Sequence, residues 1–354
     1  MRDMKRQAVF AALSIGLAAA GVLPGAAHAD VTVTRETHFG GFMGMGANDT
    51  TSKEYIHSDK KRDESTMKFT GSILSKIGGT HSSVKIYRVD KNEIIELKPA
   101  SRTYTVLPMT VKNAQRASSP NAQSGQGAQS QSGNADKSRE HTRVIRNDLS
   151  VKATGKHKTI NGYKCREYVM TWVVVTEDTQ TKQRSKSVMT SDLWTTPRTH
   201  ALRVLAADEA AYNHAYLKRL GLDLSPQQQH QFGLGMLGLM SGKSQKDLKR
   251  AMSKIHGYPI STTVKWQSNA KAETSEGADS SGNGEQALKQ VAGNLGSMLG
   301  SVFHHNEAAK KPDKPANSDM KTVFRSTTNI VSVRTGTVPA SLFAVPAGYK
   351  RARY

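Results

Sequence analysis

The feature that most narrows the fold is an alternation of apolar and polar residues with a period of two, repeated along most of the chain. Val31-Thr32-Val33-Thr34 opens it, followed by Val84-Lys85-Ile86-Tyr87-Arg88-Val89, Glu93-Ile94-Ile95-Glu96-Leu97 and Thr103-Tyr104-Thr105-Val106-Leu107. Successive side chains of a strand point to opposite faces, so each run reads as a strand with one apolar side. Asp90-Lys91-Asn92 and Lys98-Pro99-Ala100-Ser101 separate these runs with turn chemistry, as in an antiparallel meander. The clearest run spans 165–175, where Tyr168, Met170, Trp172 and Val174 alternate with Glu167, Val169, Thr171 and Val173. Residues 187–195, 261–267 and 323–334 continue the pattern. Many strands with short turns cannot stay flat. The prediction is a mainly β chain with α cover (α+β), built on one curved antiparallel sheet or half-open β-barrel.

Helical signal is confined to the second half. Residues 199–220 are rich in Ala and Leu and end at Gly221, and 244–255 place Leu248, Met252 and Ile255 at helical spacing before Gly257 and Pro259. The apolar stretch 232–240 is loosened by Gly233, Gly235 and Gly238 and is too short to cross a bilayer. Two stretches are low in complexity: 114–137, read as a disordered insertion, and 271–318, read as an insertion that carries an amphipathic helix over 286–303.

Residues 1–29 have the three parts of a signal peptide. Arg2, Lys5 and Arg6 precede the apolar stretch 8–23, and Ala27-His28-Ala29 gives the small-x-small cleavage pattern. Cleavage after Ala29 would leave 30–354 as a single periplasmic domain beginning at Asp30. Taking three basic residues (Arg2, Lys5, Arg6) and Asp3 from the formal charge of +21 leaves +19. In an exported protein that charge faces lipid headgroups and envelope polymers, and nucleic acid is not an expected partner. Cys165 stands alone, so no disulfide closes within the chain; it is expected to be a buried small hydrophobe.

Chemistry-bearing motifs are weak. Gly233-Leu-Gly235-Met-Leu-Gly238 matches the letters of a dinucleotide fingerprint, but Ser225-Pro226-Gln227-Gln228-Gln229-His230 before it is no buried strand. Gly242-Lys243-Ser244 lacks the correctly spaced first glycine of a phosphate loop, and His304-His305 has no partner at ligand spacing. No serine elbow, H-E-x-x-H helix or C-x-x-C pair occurs. The expectation is therefore a protein that is not an enzyme and uses no cofactor or metal. Tyr168, Met170, Trp172, Val264 and Trp266 are the candidates for a ligand cavity, predicted on the concave side with Glu167, Thr171, Thr263 and Lys265 opposite.

Four segments carry a resemblance. The run 84–109 with Pro99-Ala100-Ser101-Arg102-Thr103-Tyr104, then Ile160-Asn161-Gly162-Tyr163-Lys164-Cys165, Ser191-Asp192-Leu193-Trp194, and Phe343-Ala344-Val345-Pro346-Ala347-Gly348-Tyr349-Lys350 resemble an uncharacterised family of bacterial exported proteins. That family is similar in pattern to the LolA/LolB superfamily of periplasmic lipoprotein carriers. The resemblance implies a half-open barrel with helices over its concave face and assigns no individual functional residue. It also implies binding of an apolar or amphipathic ligand, a lipid or an acylated protein. The competing expectation is an envelope-associated interaction protein that holds anionic membrane or polymer through its basic surface.

Overall fold

The computed structural model describes residues 30–42, 46–70, 75, 79–118, 142–221, 245–269 and 320–352. The apolar stretch 232–240, residues 119–137 of the first insertion, the 271–318 insertion with its expected helix over 286–303, and residues 1–29 lie outside the described residues.

Twelve strands form one open, curved sheet. They are β1 (Val31–Phe42), β2 (Asn48–His57), β3 (Lys60–Phe69), β4 (Thr80–Arg88), β5 (Glu93–Lys98), β6 (Thr103–Pro108), β7 (Thr142–Ile160), β8 (Tyr163–Asp178), β9 (Arg184–Thr196), β10 (Tyr258–Ser268), β11 (Lys321–Thr335) and β12 (Lys350–Arg351). The order β12-β6-β5-β4-β3-β2-β1-β11-β10-β9-β8-β7 resolves into two antiparallel meanders, β1 to β6 and β7 to β11, joined where β11 pairs with β1. Only β12 is parallel to its neighbour, β6. The α-helices among the described residues are α1 (Val111–Ser118), α2 (His200–Arg219) and α3 (Gln245–Met252). The first five residues of the insertion expected to be disordered, 114–118, belong instead to α1, because Ala114 and Ala117 bury against the sheet.

Helix α2 connects the neighbouring strands β9 and β10 and crosses one face of the sheet, packing on β1, β2 and β11. The Thr199 side chain caps it by accepting from the Leu202 N–H at 3.4 Å. Leu202, Leu205, Ala206 and Tyr212 fall on one side of the helix and bury against Val31, Val33, Ile56, Tyr87, Ile94, Tyr258, Ile260 and Ile330. At its far end the Arg219 guanidinium donates twice to the Val89 carbonyl, at 3.0 and 3.1 Å. A smaller core lies on the opposite face. There Val338 and Phe343 of the C-terminal segment cover Ile86, Ile95 and Leu97, while Arg62 and Arg88 donate to the Leu342 and Phe343 carbonyls.

Bulges bend the sheet. Register shifts occur in β1 against β11, in β10 and twice in β7. The β7–β8 turn is Asn161-Gly162, with φ of 48° and 84°, the two left-handed positions of a tight hairpin. From that tip the Asn161 amide donates to the Ile330 carbonyl of β11 at 2.8 Å. In a flat sheet β8 and β11 would stand about 14 Å apart, so this bond requires the sheet to curl. Gly257, at the entry to β10, has φ +98°, and a Cβ there would lie 2.5 Å from the Thr196 carbonyl oxygen, so only glycine fits.

Cys165 is 2% exposed and joins the core beside Tyr163, with its thiol donating to the Tyr163 carbonyl and burial pushing its pKa up. Thiol labelling under native conditions should therefore be slower by orders of magnitude than in denaturant. Equal rates would place the sulfur at the surface.

Candidate functional site

The strand register fixes which side chains share the α2 face. Arg35 points toward the helix, since its guanidinium pairs with Glu209 of α2 at 2.5 Å as well as with Glu54 of β2. Following the pairings sideways from β1 puts Glu54, Lys61, Asp63, Lys85, Tyr87 and Glu96 on that same face. A layer of charge thus runs under and beside α2 over β1 to β5.

Burial gives this layer unusual electrostatics. Lys61 Nζ lies 2.8 Å from Glu54, which also holds Arg35, and both carboxylate and ammonium are mostly shielded from water. Burial alone would push the Glu54 pKa up, but Lys61 and Arg35 outweigh it and hold the carboxyl at about 2. Lys61 titrates above its ordinary range for the mirror reason: burial opposes its charge and Glu54 and Asp63 overcome that cost. Asp63 behaves oppositely. Burial raises its pKa, with Lys61 opposing and Glu54 reinforcing the rise, and its Oδ1 has no hydrogen-bond partner. Lys85, lowered by burial, donates to the Ala117 carbonyl of α1. Tyr258 bridges the helix and the sheet by donating to Glu209 at 2.9 Å, and Tyr87, Tyr212 and Tyr216 stack alongside. Burial raises the pKa of all four phenols, so they stay neutral donors.

Farther along the strands the same face turns first hydroxylic and then aromatic. The cross-strand row Thr262, Thr328, Thr37, Thr50 follows the charged layer, with Thr37 and Thr328 hydroxyls 3.0 Å apart. Beyond it lies the row Trp172, Met189, Trp266, Phe324, Phe42 across β8, β9, β10, β11 and β1. Trp266 meets Phe324 edge-on at 6.0 Å between ring centres, Phe324 lies 5.7 Å from Phe42, and Phe42 lies 5.0 Å from Phe39. These rings are half-buried, and Trp172 is fixed by its Nε1–H donating to Asn147 at 2.7 Å. At about 4.8 Å per strand the row is about 19 Å long.

Register places all five sequence candidates, Tyr168, Met170, Trp172, Val264 and Trp266, on one and the same face of the sheet. It brings Trp172 and Trp266 into one row and Met170 and Val264 into the row beside it. Tyr168 is 2% exposed and so belongs to the core, out of reach of a ligand. Phe39, Phe42, Met189 and Phe324 were missed; Phe39-Gly40-Gly41-Phe42 offered the signal, a pair of aromatics around a glycine bulge. Among the described residues, no group of three or more His, Cys, Asp or Glu stands together as metal ligands, and no helix is long and apolar enough to cross a membrane. No protein family, curated protein or solved structure matches the chain.

Proposed function

We propose that the protein is a non-enzymatic, exported binding protein of the bacterial periplasm, which holds an apolar or amphipathic ligand, a lipid or an acylated protein, along the aromatic row. The observation that carries this reading is the position of the row on the α2 face but at the other end of the strands. There Trp172, Met189, Trp266, Phe324 and Phe42 line an apolar strip bordered by hydroxyls. Such a gradient suits a ligand with a tail on the rings and a polar head toward Thr37, Thr262 and Thr328. The open curved sheet under a helix supports the likeness to the LolA/LolB carriers, and the signal-peptide pattern of 1–29 supports export. Two of the three tryptophans lie on the strip, so binding is readable in their emission.

Titration with a single-chain lysophospholipid should give a saturable blue shift, and Trp266→Ala/Phe324→Ala should weaken it at least tenfold by removing two adjoining rings of the strip. Native mass spectrometry of protein purified from the envelope should show a retained lipid mass. A protein that carries no lipid and whose emission ignores the amphiphile is not such a carrier.

One observation favours the second reading, adhesion to anionic membrane or polymer. On the outer face Lys265 and Arg325 stand directly opposite each other, and like charges across a strand pair cost stability. Binding to anionic vesicles that is lost in Lys265→Ala/Arg325→Ala, with the tryptophan emission unmoved, would select this reading.

A further inference from the structure

The sheet ends very differently at its two edges. One is closed by β12, two residues laid beside β6; the other is β7, a 19-residue strand with β8 on one side and no described strand on the other. Among the described residues nothing pairs with the outer backbone N–H and C=O groups of this edge, a feature that soluble proteins ordinarily blunt. Here the two register shifts of β7, at Ile145 and at Thr154 to Lys156, leave 146–153 as a regular stretch between them. Val144 and Ile145, just outside it, are 54% and 39% exposed. Helix α3 also packs against β7, and Val151 is 6% exposed, so part of the stretch is already covered within one copy; the chain leaving α3 enters β10 at Tyr258, level with Thr196, at the Cys165–Lys158 end of the sheet.

The side chains of that stretch are complementary to themselves when the strand is turned end for end about Ser150. Asn147, Leu149, Val151 and Ala153 share the α2 face, since Leu149 pairs with Trp172 and Val151 with Met170; Asp148, Ser150 and Lys152 share the other. We propose that β7 pairs antiparallel with β7 of a second copy of this chain, about a two-fold axis through Ser150. Ser150 then faces Ser150 of the second copy, and Asp148 faces Lys152 of the second copy, with the reciprocal ion pair on the other side of the axis. On the other side of the strand Leu149 stands opposite Val151 of the second copy, twice, and because Val151 is already buried within its own copy the register is set by the charged pairs. Opposite charges across an antiparallel pair are favourable and like charges are not, which selects this register. With the axis at Leu149, Arg146 would oppose Lys152 of the second copy; with the axis at Val151, Asp148 would oppose Thr154 in the kinked stretch. Asp148 is the one acidic residue of β7, among Arg143, Arg146, Lys152, Lys156 and Lys158; within one copy Arg146 Nε donates to it at 2.7 Å, and the pairing adds Lys152 of the second copy to its other oxygen. It would run the aromatic strip of one copy, through Trp172 and Leu149, into that of the next, but it does not rest on the ligand reading.

Eight residues a side is a small contact against the roughly 20–30 of a standard interface. The dimer is therefore expected to be concentration-dependent in sedimentation equilibrium. Asp148→Lys sets two lysines against each other on both sides of the axis and should weaken association at least tenfold, and the swap Asp148→Lys/Lys152→Asp should restore it. Opposed residues in an antiparallel pair have Cα atoms about 4.5–5.5 Å apart, within disulfide range. Ser150→Cys should thus give a covalent dimer on mild oxidation, whereas Lys152→Cys, about 13 Å from its counterpart, should not. A protein that stays monomeric at every concentration overturns the proposal. So does a dimer indifferent to Asp148→Lys, or one that Lys152→Cys links as readily as Ser150→Cys.

Discussion

Glu54→Ala will cost the fold about 3–5 kcal/mol, the range for breaking a buried ion pair from one side. Glu54 is the hub of the charged layer: Arg35 donates to one of its oxygens and Lys61 Nζ lies 2.8 Å from the other. Removing it strands two cations where water cannot replace the lost partner. Arg35 would keep Glu209 at 2.5 Å, which limits the damage at the helix, but Lys61 would have only the more distant Asp63 as an anion, with the Tyr212 ring 6.0 Å away. Chemical denaturation should show the loss as a lower midpoint with unchanged slope. Two comparisons fix the cause. Lys53→Ala, one residue away and exposed, should cost under about 0.5 kcal/mol. Replacing the trio together by Arg35→Met/Glu54→Leu/Lys61→Met should cost less than Glu54→Ala alone, because no unpaired charge remains. A loss below about 1 kcal/mol for Glu54→Ala would mean that water reaches the site.

The same residues explain what the sequence concealed. Alternation exposed the strands whose inner side is apolar: β5, β6, β8, β9, β10 and β11 each carry the signal over most of their length. It did not expose β2 and β3, whose sequences Asn48-Asp-Thr-Thr-Ser-Lys-Glu-Tyr-Ile-His57 and Lys60-Lys-Arg-Asp-Glu-Ser-Thr-Met-Lys-Phe69 are polar on both sides. Their inward sides interrupt Ile56, Met67 and Phe69 with Glu54, Ser52, Thr50, Lys61, Asp63 and Ser65, so no sustained hydrophobic period exists to be read. A buried charge looks like a solvated one until its partners, 7 and 19 residues away for Lys61 and Arg35, are brought against it by the hairpins. The edge strand β7 hides for a different reason: half of its side chains meet solvent, and its two bulges break the period. Along the aromatic row the tryptophans were legible because each sits inside an alternating run. Phe42 was not, since the Gly40-Gly41 bulge carries it past the stretch that alternates.

Acid should unfold the protein in two opposing steps that belong to this layer. Glu54 has an ordinary value of 4.5 and is held at about 2 in the folded chain. Its contribution is fully present above about pH 4.5 and is lost as the pH falls through 2. At 1.36 kcal/mol per pKa unit the amount is about 3 kcal/mol. Asp63 works in the other direction. Its folded pKa is raised by burial, so the folded chain takes up a proton more readily than the unfolded one and gains stability as the pH drops toward the carboxylate range. Three cations, Arg35, Lys61 and Lys85, face four carboxyl groups, Glu54, Asp63, Glu96 and Glu209, and a proton on Asp63 balances that count. The urea midpoint should therefore gain gently from Asp63 as the pH falls toward the carboxylate range, and fall steeply from about pH 4.5 to 2 as Glu54 is protonated. Asp63→Asn, which keeps the shape of the protonated acid, should abolish the gentle rise and leave the steep fall. Glu54→Gln should flatten the fall relative to wild type, whatever the other carboxylates contribute to both proteins. If the two profiles run parallel below pH 4.5, Glu54 is not ionised against Lys61 and Arg35, and the layer does not hold α2 to the sheet by charge.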